Sequence, residues 1–201
     1  MLWAQCAIVP GMRILLIGAP GSGKGTQAAR IAEHYRITHI SSGDLLRKHV
    51  TEGTSIGRSV RKYVDRGDLV PHAFVMDMLR KPVIAANESG GYVLDGFPRT
   101  VEQAKAGYEI ARDLGVSVQI AVYLDVPTDD LIGRLLARGR GTDDTDAVIA
   151  HRLDVFREHT LPMLDYYAQR EELVKVDGAL PCDEVTASLL TELDQLRRSL
   201  A

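Results

Sequence analysis

A run of glycines holding one lysine, G-A-P-G-S-G-K-G-T over Gly18–Thr26, is the stretch of this 201-residue chain best suited to chemistry. A phosphate needs several N–H donors at close range, and glycines let the backbone curl round it with no β-carbon in the way. Gly21, Ser22, Gly23, Gly25 and Thr26 supply such donors, and Lys24 reaches the β- and γ-phosphates of a nucleoside triphosphate as a mobile point charge. A helix starting just after the loop aims free N–H groups and a partial positive charge at the same anion. The strict pattern G-x-x-x-x-G-K-[ST] is not met. Gly25 stands where the magnesium-binding hydroxyl is expected, and Thr26 follows one residue later. Magnesium would then be held mostly by phosphates and water, as this strongly hydrated ion often is.

Further residues fit the same chemistry. Arg134 and Arg138 are four apart and share one helix face, with Arg140 and Arg152 beyond. Taken alone they read as a solvated basic face paired with Asp143, Asp144 and Asp146. Downstream of a phosphate loop, fixed guanidinium donors have a task, because phosphoryl transfer spreads negative charge over equatorial oxygens. Asp95 ends a strand, where ligand sites of parallel sheets lie; it reads equally as a structural carboxylate. Ser42 opens a helix and fits a capping role, with Asp44 favourable in the first turn. Arg47 and Gln103 taken alone read as exposed helical side chains.

The elements that position these residues follow from periodicity. Short β-branched runs alternate with longer helical patterns, the signature of an α/β fold with a parallel sheet. Strands are expected at Met12–Ile17, Ile37–Ile40, Tyr92–Leu94, Val118–Leu124 and Leu173–Val176. Their near-continuous apolar runs suit burial on both faces. Helical patterns cover Thr100–Leu114, with Ala104, Tyr108 and Ala111 on one stripe and Gly115 as the stop. A long helix is expected over Asp144–Gln169, with Val148, Leu153, Phe156 and Leu164 inward and a kink at Pro162. Val185, Leu189, Leu193, Leu196 and Leu200 line a final helix. Pro71–Asn87 is helical but should kink or break at Pro82.

Composition bounds the function. An apolar fraction of 45%, a charged fraction of 25% and a net charge of -3 describe an ordinary globule rather than a nucleic-acid binder. Cys6 and Cys182 form no C-x-x-C pair, so neither a disulfide framework nor a zinc ribbon is expected, and two thiols suit a reducing, cytoplasmic setting. No apolar run approaches the roughly 20 residues of a membrane span. Residues 1–11 lack the features of a signal peptide, and Met12 reads as an alternative start that makes them a dispensable extension. No coiled-coil or strand-swapping signal is visible, so a monomer is expected.

Taken together, four blocks resemble the adenylate kinase family of nucleoside monophosphate kinases, from Met12 to the end. They are the glycine-rich loop, I-S-S-G-D-L-L-R at Ile40–Arg47, L-D-G-F-P-R-T-x-x-Q-A at Leu94–Ala104, and the arginine-rich segment from Arg134 to Arg152. The resemblance implies a P-loop NTPase-type five-stranded parallel sheet flanked by helices. It implies one domain over residues 1–201, with a helical AMP-binding excursion over 41–70 and a short lid over 137–144. The reaction implied is MgATP + AMP giving two ADP, reversibly, in adenine nucleotide homeostasis. The acceptor phosphate is already ionised at neutral pH, so no general base is required.

Roles follow from the same resemblance. Ser42 faces the AMP base and Arg47 grips its phosphate. Gly96 lets AMP approach the backbone, Phe97 belongs to the AMP-binding set, and Pro98 stiffens the turn that presents Arg99 to the AMP phosphate. Gln103 reads adenine N6 and N1, while Asp68, Leu69 and Val70 lie beside the base. Arg138 contacts ATP, Arg140 and Arg152 contact the transferring phosphates and AMP, and Arg134 faces the phosphate site. The backbone of Lys175–Gly178 meets the ATP adenine near Leu180, and Asp95 orients water on magnesium. The family's lid pattern G-R-x-D-D here reads G-R-G-T-D-D over Gly139–Asp144, one residue longer. His72 replaces a frequent acid. A lid this short has no zinc-binding cysteines, so no zinc is expected. Gly53, Gly57, Gly67 and Gly139–Gly141 offer hinge freedom for excursion and lid. UMP/CMP kinases, the nearest alternative, tend to carry alanine at the Ser42 position and asparagine at the Thr100 position. A catalytically silent regulator on the same fold would be expected to lose Lys24 or the lid arginines.

Overall fold

Five parallel strands form one sheet in the order β2-β3-β1-β4-β5: β1 Met12–Gly18, β2 Thr38–Ser41, β3 Gly91–Asp95, β4 Ile120–Asp125 and β5 Leu173–Asp177. The computed structural model describes residues 11–139, 145–170 and 172–200. All five expected strands form, with ends displaced by one or two residues. Alternation along β1 explains why it lies at the centre. Met12, Ile14 and Leu16 pack on one face with Ala28 and Ile31 of α1 (Lys24–Tyr35) and Val185, Leu189 and Leu193 of α9 (Cys182–Leu200). Leu15 and Ile17 point the other way. They join a core with residues of α4 (His72–Glu88), α5 (Val101–Asp113), α6 (Thr128–Arg138), α7 (Asp146–Val155) and α8 (Met163–Ala168). A strand covered on both faces must be apolar at successive positions, as I-L-L-I is.

The helices correct several expectations. α4 runs unbroken through Pro82. An interior proline costs roughly 3 kcal/mol, and burial on both sides of it, Met78 and Leu79 before and Ala86 after, holds the helix together against that cost. The long helix expected over Asp144–Gln169 is three pieces: α7, a π-helical turn at Phe156–Thr160, and α8 after Pro162. Asp144 itself lies outside the described residues, as do residues 1–10 of the expected extension. Gly11 belongs to the packed fold, because a β-carbon there would run into the Gly90 carbonyl. Gly115 stops α5 as expected, with a φ of 68°. No helix among the described residues is long and apolar enough to cross a membrane.

Between β2 and α4 the chain makes two helices, α2 (Ser42–Thr51) and α3 (Ser55–Arg66). Ser41, not Ser42, caps α2, its side chain accepting from the Asp44 N–H at 3.3 Å. Gly67 closes α3 with a φ of 76°, a left-handed conformation that favours glycine. Gly57 is a different case. A β-carbon on it would strike the His49 carbonyl, so this glycine lets α3 lie directly on α2 and is a packing site rather than a hinge. Gly57→Ala is therefore expected to lose about 1–3 kcal/mol of stability. A fall in melting temperature of several degrees checks it, and an unchanged value contradicts the close approach.

Candidate active site

The glycine-rich loop joins β1 to α1 at the C-terminal edge of the sheet, where open parallel sheets hold their ligands. Gly21 and Gly23 take φ of 85° and 90°, conformations that only glycine adopts without strain. Gly23 is also the N-cap of α1, which has no side-chain cap and no acid in its first turn. The first N–H groups of α1 thus stay unclaimed by side chains and suit an anion. Lys24 Nζ folds back to donate to the carbonyls of Gly18 at 2.8 Å and Ala19 at 2.9 Å. Desolvation lowers its pKa from 10.5 to about 8; nearby Arg99 and Arg138 push the same way, and Asp95 opposes them.

Across from the loop, the end of β3 and the start of α2 approach each other through two glycines. A β-carbon on Gly96 would sit 2.7 Å from Ser42 Oγ and 3.5 Å from an Arg99 nitrogen. Arg99 donates from Nε to the Gly96 carbonyl at 2.8 Å. Burial pushes the Arg99 guanidinium down from its ordinary pKa, and Arg152 and Arg47 add to that while Asp95 resists it. Arg47 lies over Gly43 and pairs with Asp44 at 2.5 Å. Arg152, on α7, packs over Gly67, where a β-carbon would come 2.8 Å from its Cγ. These side chains line one cleft of about 730 Å³ together with Lys24, Asp95, Arg134 and Arg138. Cations gathered this closely, in a chain of net negative charge, make a site for a polyanion.

Comparison with known sequences decides the family. The family model described as Adenylate kinase matches residues 16–172. An adenylate kinase of Leptospira biflexa is 43% identical over 185 residues, covering 90% of this chain and 99% of the relative. Adenylate kinase 1 of a Nostoc species is 42% identical over 181 residues, covering 90% and 98%. One from Rhodococcus erythropolis is 43% identical over 182 residues, covering 90% and 99%. The chain belongs to the adenylate kinase family. It is accordingly an enzyme, a nucleoside monophosphate kinase, and its sheet is the P-loop fold of that family.

Residues expected from the adenylate kinase resemblance fall in different places. Gly21, Gly23, Lys24, Gly25, Thr26, Arg47, Asp68, Leu69, Val70, Asp95, Gly96, Pro98, Arg99, Arg134, Arg138 and Arg152 all line the cleft. Ser22, Ser42, Phe97 and Gln103 are buried behind its wall. Leu180 is exposed, beside a separate hollow of about 590 Å³ at the ends of β4 and β5 lined by Lys175, Asp177 and Ala179. Arg140 lies outside the described residues.

Several of these residues also make contacts within the protein that the sequence did not announce. Gln103 is not an exposed glutamine; its Oε1 accepts the Arg99 N–H at 2.8 Å. Arg134 donates to the carbonyls of Gly178 at 2.9 Å and Ala179 at 3.3 Å, so it braces the segment after β5 while lining the cleft. The Asp68 carboxylate meets His151 Nε2 at 2.7 Å, tying the end of α3 to α7. Ser22 Oγ and Ser42 Oγ are buried with no hydrogen-bond partner among the described residues, as is His39 Nε2. His39, 4.0 Å from Asp95, and Thr160 line the cleft without having been expected there. Nothing local in the sequence marks His39, whereas Thr160 breaks an apolar stripe and was detectable on that ground.

Proposed function

We propose that this cleft carries out ATP + AMP ⇌ 2 ADP with ATP phosphates on Gly21–Thr26 and AMP between α2 and the turn after β3. The observation that carries the reading is the convergence of Lys24, Arg47, Arg99, Arg138 and Arg152 on one cleft at the phosphate loop. An AMP phosphate oxygen forms the new bond to the γ-phosphorus as the bond to the β–γ bridging oxygen breaks, and ADP departs with that electron pair. Arg99 and Arg47 hold the acceptor phosphate. Arg138, Arg152 and Arg140 neutralise the transferring group, and Lys24 follows the charge that builds on the β-phosphate. Ser42, Gln103 and Asp68–Val70 contact the AMP base, and Leu180 borders the ATP adenine.

Asp95 is the residue that fits magnesium. Its carboxylate lies at the base of the cleft, with an oxygen 3.8 Å from where a β-carbon on Gly25 would stand. Among the described residues no three potential metal ligands gather, so the donor set suits a hydrated ion carried by the nucleotide. When bound, magnesium neutralises phosphate charge, and Asp95 would hold it through water.

The whole chain acts as one domain in this reading. Residues 41–70 form the AMP-binding excursion and 137–144 the lid, which together exclude water from the γ-phosphate. A reducing, cytoplasmic setting fits the exposed free thiol of Cys182, and the reading takes the chain as a monomer.

A coupled assay of ADP formation from MgATP with AMP, UMP, CMP or GMP tests the reaction. Turnover with AMP well above the others is expected. Preference for a pyrimidine nucleotide overturns the base assignment, and no turnover with any acceptor overturns the reading.

A further inference from the structure

Thr160 is the polar member of an otherwise apolar stripe. Ile149, Leu153, Phe156, Met163 and Tyr167 are buried at steps of three and four with Thr160 in register, itself 7% exposed. A helical threonine ordinarily returns its hydroxyl to the carbonyl four residues back. Here that carbonyl, of Phe156, accepts the Leu161 N–H at 3.0 Å through the π-helical turn. The Thr160 hydroxyl reaches out of its helix instead and donates to the Arg99 carbonyl at 2.8 Å. The Arg99 N–H is held by Gln103 Oε1 and its Nε by the Gly96 carbonyl, each at 2.8 Å. Arg99 is therefore tied from α5, from its own turn, and from the helical segment that carries Arg152.

We propose that Thr160 is a positioning residue for phosphoryl transfer, its hydroxyl fixing the Arg99 peptide so that the guanidinium stands ready at the acceptor phosphate. The proposal rests on the reading of Arg99 as the AMP-phosphate ligand. Valine has the shape of threonine and would fill the stripe as well, so filling alone does not call for a hydroxyl. Arg99 gains something more specific. Placement errors of about 1 Å at a reacting group cost up to roughly a hundredfold in rate. Lys24 and the phosphate loop are anchored on β1 and α1 rather than on this turn, so the effect falls on AMP and not on ATP.

Thr160→Val and Thr160→Ser distinguish positioning from packing. Steady-state kinetics are run with AMP and ATP varied separately, alongside melting temperature and calorimetric AMP binding. Expected for Thr160→Val is a fall of about tenfold or more in kcat/KM for AMP, with KM for ATP within about twofold of wild type. Thr160→Ser, which keeps the hydroxyl, restores at least half of the AMP value. If valine is not accommodated, Thr160→Ala carries the same comparison against serine. Wild-type kcat/KM for AMP in the hydroxyl-free variant overturns the proposal. So does a KM for ATP raised about tenfold or more, or a serine variant as impaired as valine. Failure of the wild type itself to use AMP strikes the functional reading instead, and the variants are then scored with whichever monophosphate it accepts.

Discussion

Arg99→Ala is expected to lower kcat/KM for AMP about a thousandfold without lowering the melting temperature. Both halves of that expectation come from one environment. The guanidinium is held by its Nε on the Gly96 carbonyl and by its backbone from Gln103 and Thr160, so it meets an incoming phosphate with little reorganisation. Alanine has nothing to offer the phosphate, and the neighbouring Arg47 and Arg152 stand on different helices. In the unliganded fold, however, Arg99 is a half-buried cation near Arg152 and Arg47, and its pKa is pushed down by desolvation first, with Asp95 opposing. Removing it relieves that repulsion. Kinetics with AMP varied, paired with scanning calorimetry, check the two halves. A wild-type rate refutes the role of Arg99, and a large loss of melting temperature would show that it serves the fold.

Lys24→Met is expected to reduce kcat/KM for ATP by about a hundredfold to a thousandfold, the usual consequence of losing one preorganised charge at a developing anion. Wild type offers a second test through pH. The free enzyme's Lys24 titrates at about 8, so kcat/KM for ATP should hold below pH 8 and fall about tenfold per unit above it. Stability moves oppositely. The native pKa is about 8 against 10.5 for an ordinary lysine, so between those values the unfolded chain binds more protons. Stability from this group therefore rises with pH across that window and is lowest below pH 8, where both states are protonated. Lys24→Met should lack that slope. A flat ATP profile to pH 10, or an unchanged slope in the variant, argues against a lysine held in this way.

The sheet and the phosphate loop were legible because each has a strong local cause. Period-two and continuous apolar runs mark β1 and β4, and glycines at fixed offsets mark the loop. What was not legible depends on partners distant in sequence. Gly57 reads as a flexible residue until His49 is seen against it. Pro82 reads as a breaker until Val75, Met78 and Leu79 are seen buried. Arg134 faces the cleft as expected, but its hold on the carbonyls of Gly178 and Ala179 shows only once β5 is folded beside it. The capping misassignment has a smaller origin: Ser41 and Ser42 are adjacent, and the choice between them depends on where β2 ends. Only the resemblance raised an AMP role for Arg47 and Gln103, which alone look like surface residues. It did not reveal that Gln103 holds the Arg99 backbone.

β1 is paired on both sides and buried on both faces, whereas α2 and α3 lie outside the sheet, close on one another over Gly57. Segments of this kind open at different free energies: a central strand opens with the whole molecule, and a peripheral helix pair opens earlier. On the proposed assignment of AMP to α2 and the turn after β3, the two substrates are held by parts of unequal durability. A molecule under mild stress would then lose its acceptor site while its donor site persists, and recover by refolding two helices onto an intact sheet rather than by starting again.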